Sequence, residues 1–277
     1  MSTSHGWISV RVRPGGDREA VAAALFEAGS QGLLEDGDAL VTHFPPETDV
    51  ERVRRTVLAA DAGAAIEVGD VPPVDWAEAW KVRVGAHELG ALAIVPPWLA
   101  EGRDLSRTIV IEPEMAFGTG EHPTTRGVVR LMQRVIRAGD TVADLGSGSA
   151  VLSIAAAKLG ATRIAAIEMD PEAIPNAEEN VARNGVGDAV RVLCGDAGTL
   201  LPLVAPVRVV LANIISTVIT ELLAAIDRAL APDGALIASG MLLEERAHML
   251  ELFEANGFTL VDEDREDAWW SALLARR

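Results

Sequence analysis

Strand-like and helix-like segments take turns along the second half of the chain, and that alternation restricts its fold more than any other feature. Strand candidates are Thr141 to Leu145, Arg163 to Glu168, Ala189 to Leu193, Arg208 to Ile214 and Ala235 to Ser239. Helical runs fall between and after them at Val151 to Lys158, Pro171 to Arg183, Thr217 to Leu230 and Glu244 to Ala255. Strands joined through helices must run parallel, so the pattern predicts an α/β domain whose sheet is covered on both faces. Gly234 and Gly257 are placed to end helices with a left-handed cap. The last two candidates, Phe258 to Val261 and Ala268 to Leu274, have no helix between them; they are expected to form an antiparallel hairpin at one edge and bring the sheet to seven strands.

The first part of the chain reads differently. Trp7-Ile8-Ser9-Val10-Arg11-Val12 alternates apolar and polar residues, a helical run follows from Asp17 to Ala28, and Ala39-Leu40-Val41-Thr42 returns to strand character. A second helical run, Thr48 to Ala60, offers Thr48 and Asp49 as caps and is followed by an apolar stretch around Ile66 and Val68. The sum is a small ferredoxin-like α+β domain over residues 1–70. Pro72-Pro73 then breaks the chain, and Asp75-Trp76-Ala77-Glu78-Ala79-Trp80-Lys81 reads as an amphipathic linker within 71–85, leaving 86–277 as the α/β domain.

Charge limits the partners. Lys and Arg total 24 against 41 Asp and Glu, a net charge of −17. Such a surface repels the phosphate backbone, so direct nucleic-acid binding is not expected and a basic protein suits it better. Five histidines and the single Cys194 supply neither a CxxC nor an HExxH pattern, so no metal site is expected, and one cysteine fits a reducing, cytoplasmic compartment. No apolar run approaches the roughly 20 residues of a membrane span. The N-terminus lacks the apolar stretch of a signal peptide. A soluble, unexported monomer is the expectation.

Val142-Ala143-Asp144-Leu145-Gly146-Ser147-Gly148-Ser149-Ala150 joins a strand to a helix, the setting in which glycines let a ligand approach the backbone. Glycine there also serves plain turn geometry, and the acids around it carry more of the argument. Asp144 would oppose a pyrophosphate but attract the cationic end of S-adenosylmethionine. Glu168 closes the next strand, where a carboxylate can accept both ribose hydroxyl protons. Asp170 is read as the cap of the helix starting at Pro171. Asp196 can accept from an adenine amino group or simply shape its Gly-Asp turn. Cys194 is read as a small buried core residue.

Four segments then resemble a known family. Met115-Ala116-Phe117-Gly118-Thr119-Gly120-Glu121-His122-Pro123-Thr124-Thr125, Asp144-Leu145-Gly146-Ser147-Gly148-Ser149, Glu168-Met169-Asp170-Pro171 and Ala212-Asn213-Ile214 stand in the order found in the PrmA family, the methyltransferases of bacterial large-subunit ribosomal protein L11. The linker tryptophans, Val95-Pro96-Pro97-Trp98 and the small N-terminal domain extend the resemblance to both ends. It implies a class I methyltransferase with a seven-stranded Rossmann-like sheet, S-adenosylmethionine as cofactor, and an N-terminal domain that recognises the protein substrate. It further implies that Thr125, Gly146, Glu168 and Asn213 contact the cofactor, with Phe117 and Gly118 in a loop over it; Gly148 belongs to the same glycine loop. Departures from the family pattern are Glu114 for a usual glycine, Ala150 for the last loop glycine, and Glu112 and Glu168 for usual aspartates.

Methyl transfer from a sulfonium is an in-line displacement that needs an unprotonated amine held in place and water excluded. Asn213 can turn its side-chain oxygen toward such an amine without bearing charge, or it can satisfy loop backbone. His122 can act as base or sit in the first turn of the helix running to Arg137. Trp269 and Trp270 face opposite sides, so at most one meets the site. The acceptors implied are lysine side chains and the N-terminal amine of L11. Alternatives are a protein-lysine methyltransferase with another target, a nicotinamide-dependent dehydrogenase, which would share the glycine loop and Glu168, and a binding module without catalysis.

Overall fold

A computed structural model describes residues 7–30, 32–70, 84–113 and 118–277. The chain divides into two units, Met1–Arg83 and Val84–Arg277.

In the first unit, β1 (Ile8–Arg13), α1 (Arg18–Glu27), β2 (Leu34–Asp36), β3 (Ala39–Phe44), α2 (Val50–Ala60) and β4 (Ala65–Asp70) follow one another. The antiparallel sheet has the order β2-β3-β1-β4, the ferredoxin-like arrangement. Alternation in β1 sends Val10 and Val12 inward against Val21 and Leu25 of α1 and Val53 and Val57 of α2. Arg11 points the other way and pairs with Asp36 at 2.6 Å. Of the two expected caps of α2 it is Asp49 that serves, accepting from Arg52 N at 3.1 Å.

The second unit opens with a small sheet that the sequence did not announce: β5 (His87–Leu89), β6 (Leu92–Val95) and β7 (Thr108–Val110), in that order. Then come α3 (Pro123–Val135), β8 (Thr141–Leu145), α4 (Val151–Lys158), β9 (Arg163–Glu168), α5 (Ile174–Arg183) and β10 (Val190–Cys194). The chain finishes with α6 (Ala197–Val204), β11 (Val207–Asn213), α7 (Ser216–Ala229), β12 (Leu230–Leu242), α8 (Arg246–Ala255), β13 (Phe258–Glu266) and β14 (Trp269–Arg276).

The seven-stranded sheet runs β10-β9-β8-β11-β12-β14-β13, with β14 antiparallel to both neighbours and the other pairs parallel. Successive residues feed two cores. Val142, Val209, Leu211 and Ile237 meet α3, α4 and α5 on one face. Ala143, Leu145, Val210, Ala212 and Leu236 meet α7 and α8 on the other. Burial on both faces explains the apolar runs Val209–Ala212 in β11 and Ala235–Ala238 in β12. Strand order reverses between β8 and β11, which opens a crevice at their carboxyl ends.

Several boundaries differ from expectation. β12 is longer than Ala235 to Ser239 because its outer end also pairs with β14, Leu242 standing opposite Trp269. At its other end β12 begins at Leu230, opposite Val207 of β11, so Gly234 lies within β12 rather than capping a helix, and α7 ends at Ala229. The helix expected from Pro171 starts at Ile174 after a turn. Cys194 ends edge-strand β10 and is exposed, not a core residue.

Candidate active site

After β8 the backbone turns through Gly146 at φ +69° and Gly148 at φ +50°, a region glycine enters without steric cost. A Cβ on Gly146 would stand 2.6 Å from Ile214 Cγ2, so the loop can lie this close to the end of β11 only as glycine. The N–H groups of Gly146 and Ser147 donate to the Ile167 carbonyl at 2.9 and 3.0 Å and fix the loop to β9. Ala150, at the end of the loop, holds φ +63°. Its cost is backbone strain of about 1 kcal/mol.

A cleft of about 560 Å³ opens above this loop, a size that suits a small ligand. Its lining follows the strands: Asp196 after β10, Glu168 at the end of β9, Gly146 and Gly148 after β8, Asn213 at the end of β11, Gly240 in β12 and Trp269 at the start of β14. Apolar Ile167, Met169, Ala197, Val218 and Leu222 complete the wall. Among the described lining residues there are three carboxylates, Glu168, Asp196 and Glu221, and no Lys or Arg. That charge opposes a dinucleotide pyrophosphate and accepts a sulfonium-bearing nucleoside.

Glu168 is locked in place. Its Oε2 accepts from Gly148 N at 2.8 Å and its Oε1 from Asp170 N at 2.9 Å. An ionised carboxylate offers about four lone-pair sites, so acceptor capacity remains for a vicinal diol. Asp170 in turn accepts from Glu172 N at 2.9 Å, closing the turn before α5. Asp196 caps α6, its Oδ1 accepting from Thr199 N and Oγ1, both at 2.9 Å.

Asn213 has a different character. Its Nδ2 donates to Thr125 Oγ1 at 3.5 Å, while Oδ1 is buried with no protein partner. An unpaired buried acceptor costs about 1–3 kcal/mol unless a ligand completes it.

Three expected contact residues lie behind the cleft wall. Thr125 is fully buried and holds Asn213 from behind, and it is Thr124 that borders the cleft. Asp144 is sealed under the loop with Ser153 Oγ donating to its Oδ2 at 2.7 Å, and burial pushes its carboxyl up to about 7. It therefore does not present a charge to the cleft. Gly118 at φ +107° gives its carbonyl to Ser149 Oγ at 2.8 Å and so fastens its segment to the glycine loop. Phe117 and Glu114 fall outside the described residues, as do Trp76 and Trp80.

His122 caps α3 through Nδ1 and meets Trp269 edge-on, ring centroids 4.7 Å apart. Burial, helped by the Arg126 charge, lowers its pKa and so favours the neutral imidazole. Trp269 faces the cleft, whereas Trp270 is fully buried and donates Nε1–H to Glu263 at 2.9 Å. Gly240, Met169 and Ile215 were missed in the sequence. Gly240 had a signal, since a glycine ending an apolar strand marks close approach: its Cβ would stand 2.3 Å from Ile214 O. Among the described residues no helix is long and apolar enough to cross a membrane, and no cluster of His, Cys, Asp and Glu is placed to hold a metal ion.

The family model described as Ribosomal protein L11 methyltransferase (PrmA) matches residues 7–277. The chain belongs to that family. A ribosomal protein L11 methyltransferase of Pelotomaculum thermopropionicum is 38% identical over 261 residues, covering 89% of this chain and 82% of its own. One of Bacillus cytotoxicus is 36% identical over 273 residues, covering 94% and 86%. The crystal structure of a ribosomal protein L11 methylase from Lactobacillus delbrueckii subsp. bulgaricus superposes with a TM-score of 0.61 at 30% identity, over 69% of this chain and 98% of that one. Membership in the L11 methyltransferase family brings the class I fold, which the sheet order displays, and S-adenosylmethionine as methyl donor. It removes the dehydrogenase reading, in agreement with the acidic cleft.

Proposed function

We propose that the protein transfers methyl groups from S-adenosylmethionine to amino groups of ribosomal protein L11, on lysine side chains and at the N-terminus. The observation that supports the acceptor chemistry is Asn213, which lines the cleft and whose buried Oδ1 has no protein partner.

When bound, the cofactor supplies an electrophilic methyl group on a sulfonium. Glu168 holds the ribose hydroxyls, and Asp196 stands on the β10 side for the adenine amino group. The bare backbone at Gly146 and Gly148 lets the methionine portion lie against the loop. Asn213 Oδ1 accepts an N–H of the incoming neutral amine and turns its lone pair toward the methyl carbon. An amide does this without stabilising the ammonium form, whose lone pair is already bonded. Trp269 and His122 wall the acceptor side and exclude water.

Among the described residues the first unit contributes nothing to the cleft lining, which leaves it free to recognise the substrate protein. A net charge of −17 suits a basic partner. The test is incubation of purified L11 with the protein and S-adenosylmethionine. Mass gains in steps of about 14 Da on L11 are expected. An L11 left unmodified would move the assignment to a different substrate.

A further inference from the structure

Three arginines on one face of α3 meet three acids on one face of β13. Arg126 pairs with Glu266, Arg130 with Asp264 and Glu266, and Arg134 with Asp262. The ladder fits because four helical residues advance about 6 Å and two strand residues about 6.8 Å. The rungs are not equivalent. Arg134 lies at the end far from the cleft and is more than half exposed, whereas the Arg126 side chain is only 14% exposed and bonds to more than the ladder.

Arg126 Nε donates to Glu266 at 2.9 Å, while Nη1 donates to the carbonyls of Gly120, at 3.3 Å, and Glu121. One guanidinium thus joins the segment before α3 to the strand end three residues before Trp269. Those two pieces carry His122 and Trp269, which touch each other and line the cleft. Gly120 holds φ +92°, and Ser149 fastens the other end of its segment at Gly118. Arg130 completes the arrangement by holding the second oxygen of Glu266 at 2.6 Å.

We infer that Arg126 is a positioning residue: by clamping the carbonyls of Gly120 and Glu121 to Glu266 it sets the His122–Trp269 wall against which the acceptor amine is aligned. The kinetic consequence rests on the methyl-transfer reading above; the clamp itself does not. Lysine cannot replace it, since a single ammonium lacks the planar fork that reaches a carboxylate on one side and two carbonyls on the other.

The experiment uses the full chain in four forms, Arg126→Ala, Arg126→Lys, Glu266→Gln and Arg134→Ala, beside the wild type. Amide hydrogen exchange is followed in 118–122 and 267–270, and steady-state methylation of L11 is set against calorimetric binding of S-adenosylhomocysteine. Arg126→Ala and Arg126→Lys should speed exchange in both segments and lower kcat/KM for L11 by roughly tenfold or more, with product affinity within about threefold of wild type. Glu266→Gln should do the same to a smaller extent. Arg134→Ala, which removes a rung remote from the cleft, should leave exchange in both segments and the kinetics within about twofold. Unchanged exchange in the Arg126→Lys protein overturns the clamp, as does an Arg134→Ala protein as impaired as Arg126→Ala. A wild-type protein inactive on L11 would instead reject the substrate assignment, and the exchange data would still decide the clamp.

Discussion

Gly148 donates its backbone N–H to the Glu168 carboxylate at 2.8 Å, a bond that ties the glycine loop after β8 to the acid closing β9. Glu168 therefore shapes the loop as well as lining the cleft. Glu168→Ala removes both duties and should weaken cofactor binding by about 1.5–3 kcal/mol, a tenfold to more than hundredfold rise in Kd. Glu168→Asp keeps the charge but is too short to span Gly148 N and Asp170 N together, and should fall between the two. Calorimetric titration measures this, and an unchanged Kd for the alanine variant would remove the ribose assignment.

Asp144 makes stability depend on pH. Its folded pKa is raised to about 7 from an ordinary 3.8, chiefly by burial. Between those values the folded state holds a proton that the unfolded state has released, so stability falls as pH rises through this window and levels off above it. Asp144→Asn keeps an acceptor for Ser153 and has no charge to bury. Relative to wild type it should gain on the order of 4 kcal/mol at pH 8 and little at pH 4. Denaturant unfolding at the two pH values checks this; equal differences at both would show that Asp144 does not titrate as described.

At Asn213, orientation without charge is the claim. Asn213→Ala should lower kcat by roughly tenfold to a hundredfold and leave cofactor affinity nearly unchanged, because the lost hydrogen bond matters in the aligned geometry. Asn213→Asp should be as poor or poorer, since a carboxylate holds the amine as ammonium. An Asn213→Asp enzyme turning over normally would defeat the role.

Strands β8 and β9 and helix α4 stand where the sequence put them because glycine or charge punctuates both ends of each. Helix α6 escaped notice: it has eight residues, is almost wholly apolar and contains Pro202. The strands of the small sheet at 87–110 are three or four residues long, too short to show a period. At the site the same limit acts on direction. A strand buried on both faces gives no alternation to read, so the sequence cannot say which side of a strand end a side chain takes. That is why Asp144 was expected on the cleft and stands behind it, while Glu168 and Asn213 line it; Thr125, in the first turn of α3, was expected there from the family resemblance and is also buried behind the wall.

Division of labour between the two units is open to direct test. A chain beginning at Val84 retains both apolar cores of the larger unit and every described residue of the cleft. It should bind S-adenosylhomocysteine within about threefold of the full protein and lose more than roughly tenfold in kcat/KM for intact L11. Full-rate methylation of L11 by the shortened chain would show that the first unit does not choose the substrate.

The most direct measurement is intact-protein and peptide mass spectrometry of L11 from ribosomes of cells lacking this protein, complemented with the wild type or with Asn213→Asp. Methylation of L11 by this protein through Asn213 requires L11 without methyl groups in the deletion, gains in steps of about 14 Da restored by the wild type, and no restoration by Asn213→Asp. An L11 of identical mass in all three strains would contradict it.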